Sequence, residues 1–205
     1  MSTKMVEPST VKAWDPLIRI FHWSLVIFVL LAFLSEDDWS KLHLWSGYAV
    51  TLLIGFRLLW GLVGTRTARF TSFVRSRRAV VQHLKAMLTF NAPHYLGHNP
   101  AAAVMVILLL TSITLVAFSG MVMVAGEGQG PLAATVFATW HGGWVEDIHE
   151  FFANFTLLLI FGHLAGVLFS SLVEGENLVR AMITGRKKMR SHWQDVAPQQ
   201  AAKHK

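Results

Sequence analysis

The sequence contains no cysteine, and only 15% of its 205 residues are charged. The absence of cysteine excludes disulfides, iron–sulfur clusters, thiolate zinc sites and covalent haem attachment through a Cys-x-x-Cys-His motif. A haem could therefore be held only non-covalently, with His and Met as the available iron ligands.

The scarcity of charge indicates that lipid forms part of the solvent, because soluble domains contain about 25% charged residues. Hydrophobic residues make up 53% of the chain. The net charge of +6 would also suit a nucleic-acid-binding protein. However, the basic residues flank apolar runs, where they orient membrane spans. We therefore expect lipid as a partner and no nucleic acid.

Four apolar runs reach the length of about 20 residues that a helix needs to cross a bilayer. They cover residues 14–34, 42–63, 101–124 and 148–173. Such runs must be helical, because lipid cannot satisfy open backbone groups. No small-residue cleavage site follows the first run, so we expect it to be retained rather than removed as a signal peptide.

The connections between the runs alternate in charge, which predicts their orientation. Residues 35–41 and 125–147 are mainly acidic, whereas residues 64–100, the amino-terminal segment and the tail are basic. Bases concentrate on the cytoplasmic side of membrane proteins. We expect a multi-pass protein of the bacterial inner membrane, with both termini and the middle loop cytoplasmic and the two acidic loops periplasmic.

The predicted fold class is all-α, a four-helix transmembrane bundle with a short surface helix. Residues 77–90 have the pattern of a basic amphipathic helix lying on the cytoplasmic surface. Residues 131–140 are predicted to form a periplasmic cap. We expect one transmembrane domain over residues 1–190 and a flexible cytoplasmic tail over residues 191–205.

Four of the ten histidines lie within or at the ends of the runs, where ionisable residues are rare and usually functional. His149 and His163 are 14 residues apart. They therefore lie on one helix face, about 21 Å apart along the axis. His22 lies in the cytoplasmic half of the first run and His43 at the periplasmic start of the second.

Matching these depths predicts two pairs of imidazoles, an inner pair of His22 and His163 and an outer pair of His43 and His149. Haem iron accepts imidazole nitrogens on both sides, and the core of a helix bundle is a usual place for it. We predict two non-covalent b-type haems, with each pair as axial ligands. A copper or zinc site is the alternative, but two-histidine sites lack further obvious ligands. The third run has no histidine and is predicted to complete the bundle.

Other candidate residues support the predicted haems. Arg57 and Arg19 are predicted to pair with haem propionates, with snorkelling towards lipid headgroups as the alternative. Gly47 and Gly166 are predicted to let a flat macrocycle approach the backbone, with ordinary helix packing as the alternative. The remaining histidines are expected to be solvated or to cap helices, with His141 held in reserve as a ligand.

Several segments resemble the prokaryotic cytochrome b561 family, in the branch of the b-type cytochrome subunits of nickel–iron hydrogenases. The resemblance covers about residues 11–188. Its segments are Trp14-Asp15-Pro16 with Arg19 and His22-Trp23; Arg57 with Trp60-Gly61 through Ala68-Arg69-Phe70; Gly97-His98-Asn99-Pro100; His149-Glu150 with His163; and Gly175-Glu176-Asn177-Leu178-Val179-Arg180-Ala181-Met182-Ile183-Thr184-Gly185.

This resemblance implies an electron-transfer protein with two b haems, exchanging electrons between membrane quinone and a periplasmic redox protein, either a hydrogenase or a c-type cytochrome. Quinone is then the expected substrate, and a homodimer is left open. The first alternative is a stand-alone superoxide:quinone oxidoreductase, although the acidic outer loops disfavour an anionic substrate. The second alternative is a non-redox membrane scaffold, which predicts no haem.

Overall fold

Four long helices dominate the computed structural model, which describes residues 10–36, 40–89, 91, 93, 95 and 97–188. They are α1 (Pro16–Leu34), α2 (Ser40–Val63), α5 (Pro100–Gly126) and α6 (Gly143–Glu174). All four are long and apolar enough to cross a membrane. The predicted spans and the all-α fold class are therefore confirmed, with ends that differ by a few residues.

Shorter elements lie outside these helices. They are the strand β1 (Thr10–Lys12), α3 (Phe70–Phe73), α4 (Arg77–Leu88), a 3-10 helix at Val136–Thr139, α7 (Leu178–Thr184) and β2 (Arg186–Lys188). The predicted surface helix is α4, and the predicted cap contains the 3-10 turn. The two strands pair antiparallel, with Val11 opposite Lys187, and this small sheet was not predicted. The predicted tail, residues 191–205, lies outside the described residues.

Two of the long helices begin with a polar cap followed by proline. The Asp15 carboxylate accepts a hydrogen bond from the Ile18 amide at 2.9 Å, directly before Pro16 starts α1. The Asn99 side chain accepts from the Ala102 amide at 2.8 Å, directly before Pro100 starts α5. Such caps satisfy open helix amides, and proline at the first position has no amide hydrogen to lose. Both helix starts are thus fixed by local sequence.

The long helices have large apolar side chains outside and small polar side chains inside. Leu34 and Leu172 are among the most exposed residues, at 83% and 78%. Ser112 of α5 and Thr156 of α6 are buried, and their hydroxyl groups are 2.7 Å apart. Small residues and interhelical hydrogen bonds hold helices together in lipid, where apolar side chains gain nothing by leaving the surface. This distribution is that of a multi-pass membrane protein.

The chain divides into two compact units. The first comprises Ile20–Trp60 and Met105–His163, and the second comprises Met1–Arg19, Gly61–Val104 and Leu164–Lys205. The first unit contains all four histidines of the predicted pairs. The second contains the small sheet and the short helices α3, α4 and α7.

His83 in α4 corrects the expectation that the remaining histidines are solvated. It is only 3% exposed, and neither ring nitrogen has a hydrogen-bond partner among the described residues. Its ring packs edge-on against Tyr95, with centroids 5.4 Å apart. The amphipathic pattern of α4 explains the burial, because Met87, one turn later, is buried beside it. His141, by contrast, is exposed.

The burial of His83 predicts that acid destabilises the second unit. Burial lowers the pKa of His83, whereas the unfolded chain titrates near the ordinary value of about 6.5. Below that pH the unfolded state binds a proton that the folded state resists, so stability is lost as the pH falls. We expect the melting temperature of detergent-solubilised protein to fall by several degrees between neutral pH and mildly acidic pH.

His83→Phe should flatten this pH dependence, because it removes the titrating group and keeps a ring against Tyr95. Exchange of the exposed His141 for Phe is the matched control and should leave the dependence as in the wild type. Tryptophan fluorescence can follow thermal unfolding at each pH. An equal fall in melting temperature on acidification in the His83→Phe protein and the wild type would contradict this interpretation.

Candidate haem-binding site

The structure brings the four predicted histidines together in the two expected pairs. His22 of α1 faces His163 of α6, with ring centroids 6.4 Å apart. His43 of α2 faces His149 of α6, with ring centroids 6.1 Å apart. Each pair thus joins α6 to a different neighbouring helix. Ligation of iron by these pairs stays a prediction.

The spacing within each pair fits a single metal ion between two imidazoles. Metal–imidazole bonds are about 2 Å long, which separates the centres of two opposed rings by about 6 Å. Both observed separations agree with this distance. The centroid separations of both pairs therefore match those of two imidazoles that hold one metal ion between them.

Hydrogen bonds fix the orientation of the outer pair. His43 Nδ1 lies 2.9 Å from the Ala32 carbonyl oxygen. His149 Nδ1 lies 3.0 Å from the Val116 carbonyl oxygen and 3.1 Å from Ser119 Oγ. A carbonyl can only accept, so both Nδ1 atoms must carry the proton. The lone pair of each neutral ring is then on Nε2, the state required of a metal ligand.

The two pairs provide two protein ligands each rather than a complete metal shell. Among the residues that the structure describes, no group of three or more His, Asp or Glu side chains converges on one point. Structural zinc sites use four protein ligands and catalytic ones three. An iron porphyrin supplies four equatorial nitrogens itself and leaves two axial positions for protein ligands. The donor sets therefore fit haem better than a bare copper or zinc ion.

The pairs lie at different depths along α6. Fourteen residues separate His149 from His163 within one continuous helix, which corresponds to about 21 Å along the axis. The same spacing separates His43 from Arg57 in α2. Arg57 is therefore on the His43 face of α2 but four turns away, at the depth expected for the inner pair.

Arg57 is buried, which bears on its two interpretations. Only 3% of the residue is exposed. A side chain that snorkels to lipid headgroups would reach the protein surface, so burial favours an interior role such as propionate pairing. Arg19 is half-buried and lies in the second unit, where its guanidinium donates to the Ile183 carbonyl oxygen near the end of α7. For Arg19 the propionate role stays a prediction.

The candidate glycines differ in what surrounds them. Apart from chain neighbours and the nearby backbone of the same helix, no described atom would lie within 4 Å of a Cβ at Gly47 or Gly166, so both have open space on that side. Gly162, by contrast, contacts the end of Met105 at 3.4 Å and serves helix packing. Gly47 follows His43 by one helical turn, so its open side adjoins the outer pair. Gly166 belongs to the second unit.

Helix α5 contributes three residues that the sequence analysis missed. Val116 and Ser119 accept the proton of His149 Nδ1. Gly120 leaves room for the ring, because a Cβ there would lie 3.0 Å from His149 Cε1. Since α5 contains no histidine, we had expected it only to complete the bundle. The one available sequence indication was the small, polar pair Ser119-Gly120 inside a strongly apolar run.

A comparison with known protein families shows which family this chain resembles. The family described as prokaryotic cytochrome b561 matches residues 13–185. This range contains all four paired histidines together with α5. A comparison with curated proteins finds no match.

Proposed function

Since this chain belongs to the prokaryotic cytochrome b561 family, we propose that it is a diheme cytochrome that carries electrons across the bacterial inner membrane. The family makes it a membrane protein of b-type haem electron transfer. The finer proposal is that electrons pass between membrane quinone and a periplasmic redox protein, with both chain termini in the cytoplasm. The assignment to the hydrogenase-associated branch likewise remains a prediction.

The proposal depends mainly on one observation: the bundle contains two pairs of facing imidazoles, and the pairs lie at different depths along α6. Both pairs have the separation that a single axial metal requires. A haem held by each pair would supply one-electron redox chemistry, and ligation by two imidazoles would favour electron transfer over oxygen binding. Haems held by the two pairs would be offset by about 21 Å along α6, which would shorten each electron-transfer step across the membrane.

The protein residues hold and orient these centres. In the outer pair, the backbone carbonyls of Ala32 and Val116 accept from Nδ1 and so leave the lone pair of each imidazole on Nε2, where it could ligate iron. Arg57 provides a buried positive charge at the depth of the inner pair, suited to a propionate. Gly47 leaves space beside His43 for a flat group.

The charges of the outer loops favour a protein partner over superoxide. The described acidic residues Glu36, Glu127, Glu146, Asp147 and Glu150 are all exposed in the first unit. Lys41 is the only base in the two outer loops. An anionic substrate would be repelled there, whereas a partner with a basic surface would be attracted. We therefore favour a basic periplasmic redox protein.

Reduction of the purified protein by a quinol tests the quinone link. A water-soluble quinol added to the oxidised protein without oxygen should produce the spectrum of reduced b haem. The His163→Ala protein should respond much more slowly or not at all, because we propose that the quinol donates its electrons to the centre held by the inner pair. A wild-type protein that dithionite reduces fully, but that no quinol reduces, would contradict the proposal of quinone exchange.

A further inference from the structure

The two histidine pairs differ in the hydrogen bonds made by their Nδ1 atoms. In the outer pair both Nδ1 atoms are hydrogen-bonded, and His149 has two acceptors, the Val116 carbonyl oxygen and Ser119 Oγ. In the inner pair His22 Nδ1 is buried and has no hydrogen-bond partner within the described part of the chain. The imidazole of His22 therefore differs as an electron donor from the two imidazoles of the outer pair.

An acceptor on Nδ1 makes an imidazole more basic at Nε2. Axial ligands and the hydrogen bonds to them are among the main determinants of a haem's reduction potential. A more basic axial ligand stabilises ferric iron relative to ferrous iron and so lowers that potential. The outer pair has three such acceptors. A buried Nδ1 without one, as in His22, gives no corresponding stabilisation of the ferric state.

The fixed charges act in the same direction. The Glu36 carboxylate is close enough to interact electrostatically with His149. Arg57 is buried four turns from His43, towards the depth of the inner pair. Negative charge favours the ferric state, which is one unit more positive than the ferrous state, and positive charge disfavours it. Both charges therefore separate the two potentials further.

The hydrogen bonds of Ser119 agree with its role as an acceptor. Ser119 Oγ lies 2.8 Å from the Leu115 carbonyl oxygen and 3.0 Å from the Val116 carbonyl oxygen, and its single hydrogen is donated towards these backbone carbonyls. Its lone pairs are then available to the N–H of His149. Ser119 is only 5% exposed, so the interaction takes place where charges and dipoles are weakly screened.

We propose that Ser119, together with the Val116 carbonyl group, tunes the haem held by the outer pair to a lower midpoint potential than the haem held by the inner pair. This inference rests on the proposed function. A lower potential at the outer pair would make electron transfer towards a haem bound by the inner pair the favoured direction.

Redox titration of the holoprotein, followed by EPR and visible spectra, tests this order. The wild type should show two midpoint potentials. The His163→Ala protein should keep only the outer centre, and that centre should titrate near the lower of the two. A remaining centre that titrates near the higher midpoint would overturn the proposal.

Ser119→Ala tests the tuning residue itself. It should raise the lower midpoint and leave the higher one in place, and Ser119→Thr, which keeps a hydroxyl group, should restore the lower value. Ser112→Ala is the matched control, since Ser112 is a buried serine two turns earlier on the same face of α5 and bonds Thr156 instead. It should move neither midpoint.

A Ser119→Ala shift in the higher midpoint, or in neither, would overturn the tuning role. So would a Ser112→Ala shift equal to that of Ser119→Ala. Failure of the proposed function is distinguishable from these results, because a wild-type protein without two haems would show no pair of midpoints to compare.

Discussion

The His163→Ala protein is expected to bind one haem per chain where the wild type binds two. Truncation removes one of the two imidazoles whose centroids lie 6.4 Å apart, and a single remaining histidine leaves an axial position of the iron empty. Mutation of a residue that hydrogen-bonds a metal ligand typically weakens binding by about 10–100-fold. Loss of a direct ligand should weaken haem binding more than this. Haem content per chain, from the absorbance of extracted haem, measures the effect.

The outer haem should survive in the same protein, because its ligands and their hydrogen-bond acceptors lie about four turns away along α6. Electron transfer from one side of a vesicle membrane to the other should nevertheless be abolished, since the chain of centres is broken. His141→Ala is the control, because His141 is exposed in the loop before α6. Full haem content in the His163→Ala protein would reject the proposed pairing.

Gly47→Leu is expected to remove the outer haem while leaving the inner one bound. The side chain would enter the open space next to Gly47, one turn after His43 and on the same face of α2. If a flat macrocycle occupies that space, a leucine side chain cannot be accommodated there, because close-packed interiors tolerate little added volume. Haem content and the EPR signal of the outer centre measure the loss.

Gly55→Leu is the matched control for this substitution. Gly55 is in the same helix and also has no described atom within 4 Å of its Cβ position. Gly55 follows His43 by 12 residues, which is about three and one third helical turns. It therefore lies on a different face of α2 from His43. Both substitutions replace glycine by a better helix former. Equal haem loss in both proteins would show that the effect is not specific to the haem site.

The sequence predicted the parts of this fold that depend on periodic or cumulative properties. The four spans follow from summed hydropathy, and the face shared by His149 and His163 follows from the helical period. The pairing across helices needed one further constraint, equal depth in a bundle whose direction was set by loop charge. The structure brings His22 to His163 and His43 to His149 accordingly.

The parts that escaped prediction depend on individual contacts between distant segments. Val116 orients His149 through a backbone carbonyl group, which every residue has and which therefore leaves no trace in the sequence. The β1–β2 pairing joins segments at opposite ends of the described chain and is only three residues long. His83 lies on the buried face of α4 with Met87, and its ring packs against Tyr95, which follows α4 in the chain.

Two of the segments that resemble the family have a structural role that local sequence does explain. Asp15-Pro16 and Asn99-Pro100 both combine a side-chain cap with a proline at the first helical position. The Asn99 side chain also donates to the buried Glu174 carboxylate at 3.4 Å. This hydrogen bond links the start of α5 to the end of α6 in the second unit. These residues fix helix ends and are not required as haem ligands.

The haem stoichiometry and ferric EPR spectrum of the purified wild-type protein test the central claim, that two facing imidazoles clamp an iron porphyrin at each of two levels. We predict two non-covalent b-type haems per chain, both low-spin with two axial nitrogens. A colourless protein after expression with ample haem supply, or a chain saturated by a single haem, would contradict the account.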